Sequence, residues 1–290
     1  MFKKFSVYEI PEDKLQEVLL SVANNLEVFA AYRFVSPSTS EKSRIGFSPT
    51  KIDNSYVSTV NGNLILSVTT QGKAINKNEV NDLTDQKVAQ WLEENEAEET
   101  PNKVVKILRE DSEMKVVAST YPKEAVHHSI IIRKDGKVLV EGKGKAAEDV
   151  LSLIRKALGS FPAFPINVEG DVNDMLKDWV KKGVDDLLTL GNKAVLVAED
   201  GSEYKVKSND MFHDKNTGTI LADNNSVVTS VEVEYDGIIT VTVTDELTFE
   251  AIKVNKELYA DEETDAAAII IQVNEFNKLV DNVLNRLEGE

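Results

Sequence analysis

The 290-residue chain carries 33 lysines and arginines against 50 aspartates and glutamates, a formal charge of −17, and no cysteine. The last point excludes a disulfide framework, a thiolate metal site and a cysteine nucleophile. The acidic total argues against a general nucleic-acid coat and requires any basic track to be segregated from the rest.

Hydrophobic residues at 41% and charged residues at 29% suit a folded globular protein rather than a disordered one. The opening MFKKFSVYEIPEDK alternates and turns acidic, without the apolar run of a signal peptide. No window approaches the roughly 18 apolar residues of a membrane span. The expectation is a cytoplasmic protein with no membrane partner.

In chain order, KKFSVYEI reads as a strand and PEDKLQEVLLSVANNLEVF as one amphipathic helix, with Pro11 at its start and Leu15, Val18, Leu19 and Val22 as its stripe. SPSTSEKSRIGFSPT is loop-like. NSYVSTVNGNLILSVTT reads as a hairpin turning at Asn61-Gly62. INKNEV to ASTY reads as two helices broken near Thr100-Pro101, and HHSIIIRKDGKVLVEG as a second hairpin turning at Asp135-Gly136.

Residues 145–166, KAAEDVLSLIRKALGSFPAFPI, spell a helix with a punctuated end. Ala147, Val150, Leu151, Ile154 and Leu158 form one apolar face, Glu148 and Asp149 sit in the first turn, and Arg155 and Lys156 in the last. Gly159, Pro162 and Pro165 stop it. Beyond, VNDMLKDWVKKG is helical, AVLVAEDGSEYKVK and SVEVEYDGIITVTVTDELTFEAIKV are hairpin-like, AAAIIIQV reads as a short strand and NEFNKLVDNVLNRL as a closing helix. Strand, Asx-Gly, strand, helix occurs twice and is read as two ordinary hairpins. Hairpins and helices without a βαβ rhythm predict an α+β fold of antiparallel sheets with packed helices.

The same 145–166 stretch resembles a segment of the RdgC family of bacterial recombination-associated proteins. Glu148, Asp149, Arg155, Lys156, Leu158, Gly159, Ser160, Pro162 and Pro165 all fall in place. Weaker agreement covers nearly the whole chain: the opening strand, IGF-S-P, VNG, KDW at 177–179, then EDG and VVT. It is that of a diverged member, of host or phage origin. The resemblance implies a ring-shaped homodimer around double-stranded DNA, binding without sequence preference and restricting recombinase access, hence a nucleoid-associated protein with no cofactor. It implies a central α+β domain (1–75 with 121–170), an inserted helical tip (76–120) and a C-terminal α+β base (171–290).

Carried over residue by residue, the resemblance places an exposed aromatic at Tyr121, with Lys123 close behind. The family's K-K-Q stretch resembles Lys207, Ser208 and Asn209, and Lys205 stands in for the lysine that is lost. The DNA-binding set implied is therefore Tyr121, Lys123, Lys205, Lys207 and Asn209. The departure is LEENEAEET, where Glu93, Glu94, Glu96, Glu98 and Glu99 occupy a tip that is basic in familiar members and should repel phosphate.

Two alternatives stand beside this one. VLVEGK offers Glu141 and Lys143 as the Glu-x-Lys of a metal-dependent exonuclease, but Asp135 is poorly placed as the second carboxylate. Otherwise the acidic tip makes the chain an interaction module for a cationic protein. His127 and His128 point to opposite faces of a strand and His213 stands alone, so no metal site is expected. No phosphate-loop or Ser-His-Asp pattern is present.

Overall fold

The computed structural model describes residues 2–184, 187–207, 226–260, 262 and 264–288. The chain divides into two compact units, one made of Met1–Ala31, Pro49–Ser67 and His128–Glu290, the other of Tyr32–Ser48 and Val68–His127. The fold is α+β, with antiparallel pairing throughout the registered strands.

In the first unit β1 (Phe5–Glu9) lies between β6 (Lys137–Glu141) and β12 (Thr248–Val254). On one side the sheet runs through β6 to β5 (Val126–Ile132) and β4 (Asn63–Gly72), with β3 (Val57–Val60) beside β4. On the other it runs through β12 to β11 (Ile239–Thr244), β10 (Val227–Tyr235), β8 (Leu188–Val197) and the edge strand β9 (Glu203–Lys207). The two-residue β7 (Phe164–Pro165) pairs with β1. The β3–β4 turn has Asn61 at φ 50° and Gly62 at φ 83°, the left-handed pair that two-residue hairpins need.

Alternation decides which face of the C-terminal strands is covered. Leu188, Ala194, Leu196, Val231, Val233, Tyr235, Ile239, Val241 and Val243 are buried. They form one cluster with Leu176, Trp179 and Val180 of α6 (Val172–Lys182) and with Val273, Phe276, Leu279, Val280, Val283, Leu284 and Leu287 of α7 (Asp265–Glu288). Each such side chain contributes about 1.5–3 kcal/mol on burial. The alternate residues, Lys193, Glu232, Glu234, Thr240, Thr242 and Lys253, share the opposite, polar face.

Three expectations are corrected. Ser43–Ser48, within the SPSTSEKSRIGFSPT read as loop-like, forms a strand. AAAIIIQV is the first part of α7, not a strand: Thr264 caps it through its Oγ1, which accepts the Ala267 N–H at 3.2 Å. A short apolar run carries no period of its own, and three alanines followed by packing partners settle it as helix. The first helix is two, α1 (Glu12–Asn24) and α2 (Leu26–Ala31), because Asn25 leaves helical geometry and turns its Nδ2 onto the Ser21 carbonyl at 2.6 Å.

Around residues 145–166 the structure shows what the punctuation does. α5 (Lys145–Leu158) ends at Gly159, whose φ of 78° is left-handed. Arg155 then donates to the carbonyls of Phe161 at 3.2 Å and Ala163 at 3.0 Å, and pairs with Glu148 at 3.3 Å. Burial, and next the Glu148 charge, push the Tyr8 hydroxyl up to about 12.

In the second unit β2 (Ser43–Ser48) pairs with β4, and α3 (Lys77–Glu94) packs on α4 (Asn102–Ser119) as a helical hairpin. Asn76 caps α3, its side chain accepting the Asn78 N–H. Pro101 opens α4.

Candidate functional site

α4 stops at Ser119 because Pro122 forces the residue before it out of helical geometry. Thr120 turns its Oγ1 onto the Val116 carbonyl at 2.6 Å. The next residues are strapped to the end of β4: Lys123 N–H donates to Gly72 O at 2.8 Å, and Gln71 Nε2 to Lys123 O at 2.7 Å. Lys73 donates to the carbonyls of Ser38, Thr39 and Val117, the last near the carboxyl end of α4. The strap leaves the Tyr121 ring 90% exposed, beside an exposed Lys123.

Two other large apolar side chains of α4 are also uncovered. Ile107 is 55% and Met114 63% exposed, seven residues apart on one helix face. At the other end of the hairpin Glu93, Glu94, Glu96, Glu98 and Glu99 are all exposed, with Glu96 at φ 47°. About 27 Å of helix, at 1.5 Å per residue, separates this acidic turn from the Tyr121 strap.

Lys205 and Lys207 lie in the first unit, on the same face of β9. Lys205 is in ionic contact with Glu203 at 3.1 Å, which offsets its charge. Lys207 sits opposite Lys193 and helps to line a hollow of about 360 Å³ with Asn192, Lys193, Glu232, Glu234 and Lys253. Glu232 is held by Lys193 Nζ at 2.6 Å and Asn192 N–H at 3.1 Å. Its burial opposes ionisation, but these two contacts and the Lys253 charge prevail and hold it below the usual glutamate range. Asn209 lies outside the described residues, as do Ser208 and His213. Tyr121 with Lys123, and Lys205 with Lys207, are thus two pairs in two different units.

Sequence reading passed over Lys193, Glu232 and Lys253. The available signal was Gly191-Asn192 inside a strand pattern, which marks a bulge. Its partners come from β10 and β12, forty and sixty residues on, and only strand register brings them together.

The remaining sequence candidates are engaged in structural contacts. Glu141 accepts the Ser129 N–H at 2.9 Å, and burial pushes its carboxyl up despite hydrogen bonds from Ser129 and Lys3. Lys143 pairs with Glu250 at 2.7 Å. His127 Nδ1 meets Thr69 Oγ1 at 2.8 Å, and His128 Nδ1 the Glu141 carbonyl at 3.0 Å. Among the described residues no group of three or more His, Asp or Glu side chains could hold a metal ion. No helix of the described residues is long and apolar enough to cross a membrane.

The family model described as "Putative exonuclease, RdgC" matches residues 1–290. The chain belongs to the RdgC family. Among relatives named "Recombination-associated protein RdgC", the one from Yersinia enterocolitica is 25% identical over 308 residues, covering 100% of this chain and 98% of its own. That from Colwellia psychrerythraea is 22% identical over 241 residues, covering 81% of this chain and 78% of its own. That from Shewanella baltica is 26% identical over 192 residues, covering 64% and 63%. RdgC membership agrees with the resemblance carried by residues 145–166, and those residues turn out to be ones that build α5 and its exit.

Proposed function

We propose that the chain is a non-sequence-specific double-stranded DNA-binding protein, a ring-shaped homodimer that modulates recombination by restricting recombinase access. The reading rests on RdgC membership and on the relatives' name, and one observation carries it onto this chain: the Tyr121 ring stands 90% exposed on a hydrogen-bonded strap beside Lys123. A large aromatic carried on a hydrogen-bonded backbone and left uncovered is suited to contact with another molecule. Lys207 offers phosphate contacts on the other unit, giving affinity without base readout. The proposed organisation is a centre (1–75 and 121–170), a tip (76–120) and a base (171–290). The uncovered Ile107 and Met114 on α4 support self-association through the tip.

The test is fluorescence anisotropy of a labelled duplex of about 30 base pairs at low and near-physiological salt. Binding with a steep negative salt slope, the same for unrelated sequences, is the expected result. Absence of binding at low salt overturns it. In that case the second reading takes over, a cationic protein partner for the acidic turn, favoured by the exposure of all five glutamates from Glu93 to Glu99.

A further inference from the structure

The lysine-lined hollow on the open sheet face is built by irregularities in two strands. Val231 pairs with Ala194 and Val233 with Leu190, so three residues of β8, Gly191 to Lys193, stand against Glu232 alone. This double bulge brings the backbone so close that a Cβ on Gly191 would lie 2.9 Å from the Glu232 carbonyl oxygen. Two strands over, Thr240 pairs with Lys253 and Thr242 with Glu250, and the extra residue in β12 falls beside Ala251, a non-glycine at φ 50°. Bulges re-aim side chains, and strain of this kind persists where surrounding contacts enforce it.

The two bulges frame one constellation. Glu232 forms the floor, its two carboxylate oxygens taken by Asn192 N–H and Lys193 Nζ. Its contact with Lys193 uses one of three ammonium protons, and the Lys193 side chain is still 52% exposed. Lys207 and Lys253 complete the rim with no ion pair among the described residues, and Glu234 and Thr240 also line it. Three ammonium groups therefore face two carboxylates, one of them already satisfied, in a protein whose total charge is −17. This is a local inversion of the molecule's charge, with ammonium donors around a space larger than one phosphate.

We infer that this hollow is a phosphate seat, in which Lys193, Lys207 and Lys253 supply the positive lining and Glu232 fixes the Lys193 ammonium. The phosphate comes from a duplex backbone or from a small phosphate compound. The duplex source rests on the DNA-binding reading above, and the seat itself does not.

The experiment follows the backbone amide signals of Asn192 and Lys193 in isotope-labelled full-length protein during separate titrations with inorganic phosphate and the 30-base-pair duplex (about three turns, enough for several phosphate contacts). Shifts with both are expected, and Lys253→Met should abolish the phosphate shift while lowering the salt slope of duplex binding by about 0.9. Shifts with duplex alone assign the seat to backbone phosphate. Shifts with phosphate alone keep the seat and remove the duplex source. If the duplex binds by anisotropy but neither titrant moves these amides, the seat is overturned and the DNA-binding reading stands. If nothing binds and nothing moves, both fall. Urea unfolding of Lys253→Met separates lost binding from lost fold.

Discussion

Arg155 Nη2 lies 3.0 Å from the carbonyl oxygen of Ala163, and its Nε lies 3.2 Å from that of Phe161. Both carbonyls belong to buried residues that follow the end of α5, in a stretch where prolines remove the usual backbone donors. One guanidinium thus supplies what a continuing strand or helix would have supplied.

Arg155→Met should therefore lower unfolding stability by about 2 kcal/mol, the scale of hydrogen bonds from a charged donor. Urea denaturation reads it. Duplex affinity at temperatures where the variant is folded should stay within twofold of the parent. A large loss of affinity with unchanged stability would make this segment a binding site instead of a joint.

Arg133 is 8% exposed and reaches Asp135 at 2.6 Å, Asp281 at 2.7 Å and the Asn277 carbonyl at 3.1 Å. It ties the β5–β6 turn to α7. Arg133→Met should cost about 3 kcal/mol, the low end for breaking a buried pair, because both carboxylates are partly exposed and rehydrate. Burial opposes ionisation of Asp135, but Arg133 and then Lys137 prevail and hold its carboxyl below the usual range. Its share of stability is present above the ordinary aspartate pKa and is lost as pH falls through the depressed one. Urea midpoints measured downward from pH 5 should fall more for the parent than for Asp135→Asn.

Glu141 has the opposite sign. Burial raises its carboxyl pKa, so its contribution is fully present below the ordinary glutamate value and is lost as pH rises through the raised one. Glu141→Gln should match the parent below about pH 4 and exceed it in urea midpoint at pH 7. The same variant, assayed with magnesium and end-labelled duplex, also tests the exonuclease alternative: loss of a measurable parent activity would restore it.

Tyr121→Ala should change stability by no more than about 0.5 kcal/mol, as for other uncovered surface positions. Its duplex affinity should fall about fivefold or more if the ring contacts DNA, truncation of a contacting interface aromatic costing about 1 kcal/mol or more. Equal affinities would remove Tyr121 from the binding set.

Ile107→Lys with Met114→Lys should shift the protein to a lower oligomer in sedimentation velocity, with thermal stability of the protomer retained. An unchanged sedimentation coefficient would place self-association elsewhere.

Local chemistry made much of this fold legible. Asn61-Gly62, Pro101 and Gly159 each act through their own backbone angles, and a sequence shows them directly. AAAIIIQV misled because a run of seven apolar or small residues with one glutamine fits a strand or a buried helix equally well, and only Val273 and Phe276 meeting the sheet decides between them. Tyr121 and Lys123 were visible as a place in a family pattern. Lys193 and Lys253 were not, since their meeting depends on two bulges and on strand order. Lys205 and Lys207 came from the same family pattern, and the structure adds that Glu203 lies 3.1 Å from Lys205.

The two-faced C-terminal sheet separates two histories of substitution. Residues beneath it must keep volume and shape for α6 and α7, whereas exposed neighbours in sequence such as Lys193 and Glu234 face away from that core; Glu232, buried and hydrogen-bonded, is an exception. The charge of the exposed open side can therefore be altered at such positions with less effect on the packed face than a change beneath it. A one-residue slip of β9 would destroy that independence, exchanging Lys205 and Lys207 for Tyr204 and Val206. The Ala198–Ser202 turn, which fixes that register, is the part of the open side with least freedom to drift.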